Sequence, residues 1–297
     1  MKWESLFERH YKKLFLVPVI MLLFSLIVVG SFYYRTGELF ERDVSLKGGV
    51  SATVYEGGID AEKLEIFLED RLDTDVFVRK LGDVASNKDI GVVIEIGDNV
   101  SGELKNNIEE ATGFSLNKEN FSIEVVSSSL GESFYQSLLK AVIISFVLMA
   151  IVIFVAFRSF IPSAAVLLSA FLDIVFPLAI IELFGIKINA AGIAAFLLVI
   201  GYSVDTDILL TTKMLKRKEG GIYDRVVDSA KTGLTMTFAT IAALSIAYVI
   251  TTSFVLEQMF LIIVIALFVD IVSTYFMNAG ILIWYCKKKG ENEKFWG

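Results

Sequence analysis

Residues 190–212 read AAGIAAFLLVIGYSVDTDILLTT, and the fold turns on how this stretch is understood. From Ala190 to Ile200 every residue is apolar or small, and Ile208, Leu209 and Leu210 resume the pattern beyond Asp205 and Asp207. A helix needs roughly 20 residues to cross a hydrocarbon core of about 30 Å, so the stretch has the length of a membrane span. A charge at the centre of such a helix costs about 3 kcal/mol on insertion scales. Asp205 and Asp207 therefore require a partner, water or a task.

The rest of the chain has the same character. Of its 297 residues 55% are hydrophobic, only 3 are proline, and the mean hydropathy is +0.65, which excludes an ordinary soluble globule. Apolar runs predict six spans, near Leu14–Tyr34, Leu138–Phe157, Ile161–Leu183, Ile188–Leu210, Gly233–Ile250 and Met259–Tyr285. The first follows Arg9, Lys12 and Lys13, is too long for a signal peptide and has no small-residue cleavage site after it, so it reads as an uncleaved anchor. Lys2, Arg9, Lys12, Lys13, Arg158, Lys213, Lys216, Arg217, Lys218, Arg225, Lys231 and Lys287 to Lys289 all fall on one side of these spans. That side is expected to be the cytoplasm. Phe32 to Tyr34 and Trp284 with Tyr285 fit aromatic belts.

The expected division is a cytoplasmic start (1–13), a first transmembrane helix (14–34), an external domain (35–137), a five-helix bundle (138–285) with a cytoplasmic loop at about 211–232, and a cytoplasmic tail (286–297). The net charge of -7 is unevenly spread: residues 35–137 hold 21 acidic against 10 basic side chains. Nucleic acid is therefore not expected as a partner. The single cysteine, Cys286, allows no internal disulfide, so the external domain has to fold on its own core. Its triplets at Asn99 and Asn120 have the form of glycosylation acceptors, compatible with an external location or with chance.

Within 35–137, Val50, Ala52 and Val54 alternate with Ser51, Thr53 and Tyr55 as a half-buried strand requires. DAEKLEIFLEDRL (60–72) follows as a helix, with Leu64, Phe67, Leu68 and Leu72 on one stripe and Asp60 as its cap. DVFVRKL and GVVIEI read as strands, SGELKNNIEEA as a second helix, and FSIEVV as a last strand. The order βαββαβ predicts a ferredoxin-like α+β domain. It holds no histidine, cysteine or nucleophile elbow, so its expected use is contact with an external partner or with a substrate chain, or simply packing. No cofactor, metal or enzymatic activity is expected.

The chemistry lies in the membrane. Asp173 sits about eleven residues, roughly 16 Å, from the cytoplasmic start of its span, and Pro177 frees the carbonyl of residue 173 at the same depth. A hydrated ion path would serve both groups, as would hydroxyls on a neighbouring helix. Asp205 and Asp207 point to nearly opposite faces of one helix. Gly201, one turn before Asp205, would let another helix approach, so Asp205 is expected to face the bundle interior and Asp207 the interface beside Lys213. Asp270 is mid-span in the sixth helix, and Thr235, Thr237 and Thr240 in the fifth follow Lys231. Intramembrane carboxylates and hydroxyls in this number mark a proton or ion pathway by default.

One span, an external βαββαβ domain and then five spans, with LDIVFPLAIIELFGIKINAAGIAAFLLVIGYSVDTDILLTTKML across the third and fourth, resembles the SecF subunit of the protein-export apparatus, the archaeal form above all. The resemblance covers nearly the whole chain. Its most specific parts are DVSLKGG, similar to the family's Asp-x-x-Gly-Gly signature with two extra residues (Asp43, Gly48, Gly49), GYS ahead of an acidic residue, and SAKTGLTMT opening the fifth span.

The resemblance implies membership of the resistance-nodulation-division superfamily, pairing with a SecD subunit, work beside the SecYEG channel on a secreted polypeptide, and use of the proton-motive force from within the cell membrane. It also places the family's span-four aspartate at the Asp205 region, its span-three aspartate at Asp173, and a lysine, Lys231, where bacterial forms have arginine. Two other readings use the same residues. An exporter half of the same superfamily would carry small molecules or lipids and self-associate. An intramembrane aspartyl protease would need Asp173 and Asp205 within direct hydrogen-bond reach.

Overall fold

The computed structural model describes residues 13–83, 88–97, 101–216, 221–251 and 253–295. Asn99 of the first triplet, Lys2, Arg9, Lys12, Arg217 and Lys218 lie outside them. Helix α1 (Leu16–Thr36) is followed by a one-turn helix α2 (Val44–Lys47), then by strand β1 (Gly49–Val54), helix α3 (Ala61–Leu72), strands β2 (Val76–Asp83) and β3 (Lys88–Ile96), helix α4 (Ser101–Thr112) and strand β4 (Phe121–Val126). The bundle comprises α5 (Ser128–Phe157), α6 (Phe160–Leu183), α7 (Ala190–Lys216), α8 (Ile222–Ile250) and a last span. That span is α9 (Phe254–Val272), a π-helical segment (Ser273–Asn278) and α10 (Ala279–Phe295). Six helical stretches among the described residues are long and apolar enough to cross a membrane.

The four strands form one antiparallel sheet in the order β2-β3-β1-β4, the ferredoxin-like arrangement the pattern predicts. Val50, Ala52 and Val54 bury one sheet face against Leu64 and Leu68 of α3 and Leu104 and Ile108 of α4. Asp60 caps α3, its carboxylate accepting from the Lys63 amide at 3.4 Å. The opposite face, with Ser51, Thr53, Arg79 and Glu95, looks onto the bundle across a cavity of about 500 Å³.

The helices overrun the apolar runs that predict them: α5 begins at Ser128, where Ser127 caps it, and α7 continues to Lys216. Helix formation needs only backbone bonds and a cap, so it extends past the hydrocarbon-length segment into polar sequence. Helix α6 passes through Pro177 without ending. The linker 38–47 is laid on the bundle, with Phe40 and Leu46 packed among Ile181, Ile188 and Ile193.

Candidate functional site

Three carboxylates meet inside the bundle. Asp173 (α6), Asp207 (α7) and Asp270 (α9) are 0%, 0% and 1% exposed. Asp173 accepts from the Ser273 hydroxyl at 2.6 Å and from the Ser203 hydroxyl. Asp270 accepts from Thr206 Oγ1 at 3.0 Å to each oxygen and from Thr274 Oγ1 at 3.1 Å. Asp207 accepts from Thr274 Oγ1 at 2.9 Å and from Asn278 Nδ2 at 2.7 Å. Ser169 of α6 lies close to Asp207 but outside hydrogen-bond geometry.

Local structure explains these positions. Ser203, Asp207 and Thr211 are spaced four apart on α7, and Asp270, Thr274 and Asn278 four apart on the last span, so each set forms one stripe. The π-helical segment carries Ser273, Thr274, Tyr275 and Asn278, all buried. Widened turns of this kind occur mostly where a function needs them. Tyr275 lodges against α8 at Gly233, where any Cβ would collide with its hydroxyl.

Among the described residues no lysine, arginine or histidine forms an ion pair with these three carboxylates. A buried ion without a counter-charge costs several kcal/mol. Hydroxyls linked to carboxylates in this way are suited to passing protons.

The structure reverses the orientation expected on α7. Asp205 is exposed on the outside of this chain with Gly201 and Tyr202, whereas Asp207 is buried. Two residues are about 200° apart on a helix, so only one can face inward, and the inward face is the one that holds Ser203, bonded to Asp173. A Cβ at Gly201 would meet nothing within 4 Å, so the approach expected there is not made by this chain. Thr235 and Thr240 bond carbonyls of their own helix, at 2.7 and 3.1 Å, and Lys231 is exposed. Thr237 and Pro177 are buried. Asp173 and Asp205 form no dyad.

Asp43 caps α2, its Oδ1 accepting from the Ser45 amide at 2.8 Å and hydroxyl at 2.5 Å, and Ser45 Oγ accepts from the Ala190 amide at 3.1 Å. Gly48 and Gly49 both have positive φ, +88 and +129. A Cβ on either would run into backbone of Ser128 or Ile96.

Fold and cluster together define a class: multi-pass helical membrane proteins whose bundle encloses titratable groups beneath an α+β domain. The family described as "Protein export membrane protein SecD/SecF, C-terminal" matches residues 104–288. The chain is 32% identical to the protein-export membrane protein SecF of Pyrococcus furiosus over 98% of this chain and 97% of that one. It is 34% identical to SecF of Methanocaldococcus jannaschii over 93% and 96%. The crystal structure of SecDF from Thermus thermophilus superposes with a TM-score of 0.75 at 19% identity, over 93% of this chain and 38% of that one. The chain belongs to the SecF family of protein-export membrane proteins.

Proposed function

We propose that this chain is the SecF half of an export motor: with a SecD-like subunit, beside the SecYEG channel, it uses proton movement to help a secreted polypeptide cross or leave the membrane. The observation that carries the reading is the cluster of Asp173, Asp207 and Asp270, fully buried and without a counter-charge. Moving one charge across 100 mV is worth about 2.3 kcal/mol. A few protons per cycle therefore match the roughly 5 kcal/mol needed to invert a two-state equilibrium. The termini lie in the cytoplasm and the domain at 35–137 outside, in keeping with the lysines and arginines at the opposite ends of the spans.

A membrane partner is supported by Asp205. It lies within a turn of the middle of α7 (Ala190–Lys216) and faces outward beside the open notch at Gly201. A carboxylate facing lipid at that depth is costly, so the face is suited to a second subunit that offers donors to Asp205 and fills the notch. Lys231, Thr235 and the buried Thr237 belong to the same pathway proposal as flanking groups on α8. The test is export of a reporter secretory protein in cells whose only copy carries Asp207→Asn. Export is expected to stop while the protein accumulates and still co-purifies with its partner; unchanged export rules out a titrating Asp207.

A further inference from the structure

Asp207 Oδ1, Thr274 Oγ1 and Asp270 Oδ1 form an unbroken line, with steps of 2.9 and 3.1 Å. A threonine hydroxyl has one hydrogen and two acceptor sites. It can donate to only one of the two carboxyl groups at a time. Both bonds exist together only when the other carboxyl carries a proton and donates it to Thr274 Oγ1.

We infer that Thr274 is the residue through which a proton passes between Asp207 and Asp270, a role that rests on the proton-coupled reading of the cluster. In the forward step the O–H bond of protonated Asp207 breaks and a new one forms at Thr274 Oγ1. The original Thr274 O–H bond breaks as its hydrogen bonds to Asp270 Oδ1. Asp207 ends ionised, Asp270 ends neutral, and Thr274 is regenerated with its hydrogen turned toward Asp207. No electron pair leaves its oxygen and no other reactant is needed. Asn278 Nδ2, at 2.7 Å, holds the Asp207 anion at the end of the step; Thr206 Oγ1, 3.0 Å from both Asp270 oxygens and 2.8 Å from the Ser203 carbonyl of its own helix, shares its one hydrogen between them.

The other titratable groups that face this line are Asp173 of α6, through Ser273 and Ser203, and the Tyr275 phenol, whose field includes Asp207 and Asp270. The arrangement is spelled in the sequence as Asp270, Thr274 and Asn278, each four residues on. A hydroxyl that only packed would turn to its own helix, as Thr240 does toward the Met236 carbonyl. Thr274 instead spends its hydroxyl between two carboxylates on different helices.

The experiment uses the full chain with its co-purified partner in sealed vesicles containing a pH-sensitive dye, under an imposed pH gradient. Thr274→Val keeps the shape and removes the hydroxyl; its proton flux is expected to fall about tenfold or more. Thr274→Ser keeps the hydroxyl and is expected to stay within about twofold of the parent. Thr274→Ala is the second hydroxyl-free variant should the valine form not accumulate. Wild-type flux in a hydroxyl-free variant, or loss of flux in the serine variant equal to that in the valine variant, overturns the relay. Asp207→Asn separates the two ideas: inactive beside a fully active Thr274→Val, it leaves the motor reading standing and removes only the relay. Fully active itself, it removes the reading on which the relay rests.

Discussion

Neutralising Asp205 and neutralising Asp207 should have different consequences, although the two differ by two positions. Asp207→Asn changes a group with no exposed surface and two bonded donors, and is expected to abolish export at normal protein levels. Asp205→Asn changes an exposed group and is expected to lower co-purification of the SecD-like partner several-fold while leaving the folded chain intact; immunoprecipitation from mild detergent checks it. Asp173 and Asp270 were legible from the sequence because each is the one charge at mid-span in a long apolar run. The choice between Asp205 and Asp207 was not, because the rotational setting of α7 is decided by its buried face, and Gly201 pointed to a contact this chain alone does not make. Ser203, Ser273, Thr274 and Asn278 are uncharged, so nothing in an apolar span marks them as an aspartate is marked. The signal that finds them is spacing: Ser203 lies four residues before Asp207, Ser273 and Thr274 three and four after Asp270, and Asn278 four after Thr274.

At the scale of elements, α2 and the glycines after it decide how the α+β domain is joined to the bundle. Gly49 has φ +129 and its Cα faces the Ile96 carbonyl, so Gly49→Ala combines backbone strain with a backbone collision. A loss of about 2 kcal/mol or more is expected, read as a lower melting temperature of the purified protein. The same turn has a pH signature. Burial pushes the Asp43 carboxyl up to about 6 from 3.8, against the Ser45 hydroxyl, which holds it down, while Glu95 adds to the rise. The folded state thus binds this proton more tightly than the unfolded chain. Its contribution is fully present below about pH 4, is lost as pH rises through about 6, and is worth about 3 kcal/mol. Hydrogen exchange at the amides of Ser45 to Gly48 should quicken over that interval beyond its intrinsic pH dependence, and Asp43→Asn should remove the excess. The strands and helices of this domain were legible because alternation and helical stripes are local properties; α2 was not, since one turn carries no periodicity.

For the whole molecule, the contacts between the bundle and the α+β domain offer a route by which the proposed motor would act on that domain. Helices α7 and α9 carry Asp207 and Asp270, and both begin beneath the open face of the sheet. Arg79 of β2 lies 3.2 Å over the Phe254 ring at the start of α9 and donates to Glu95 at 3.0 Å. Glu95, 4% exposed in its side chain, also pairs with Lys187 at 3.8 Å, in the connection that leads into α7. Gln258 of α9 closes the set, accepting from the Asn189 amide at 2.9 Å and donating to the Lys187 carbonyl at 2.6 Å. Removing the Glu95 charge leaves Arg79, largely buried, with a neutral amide in place of its bonded counter-charge, and breaking a buried pair on one side costs about 3 kcal/mol. Glu95→Gln is therefore expected to free the sheet from the bundle: strands β2 and β3 should lose hydrogen-exchange protection while α6 and α7 keep theirs. If the domain is driven through this contact, export should fall in Glu95→Gln with proton flux unchanged, whereas Asp207→Asn loses both. Equal export in Glu95→Gln and wild type would show that force reaches the domain by the α1 and α5 connections instead.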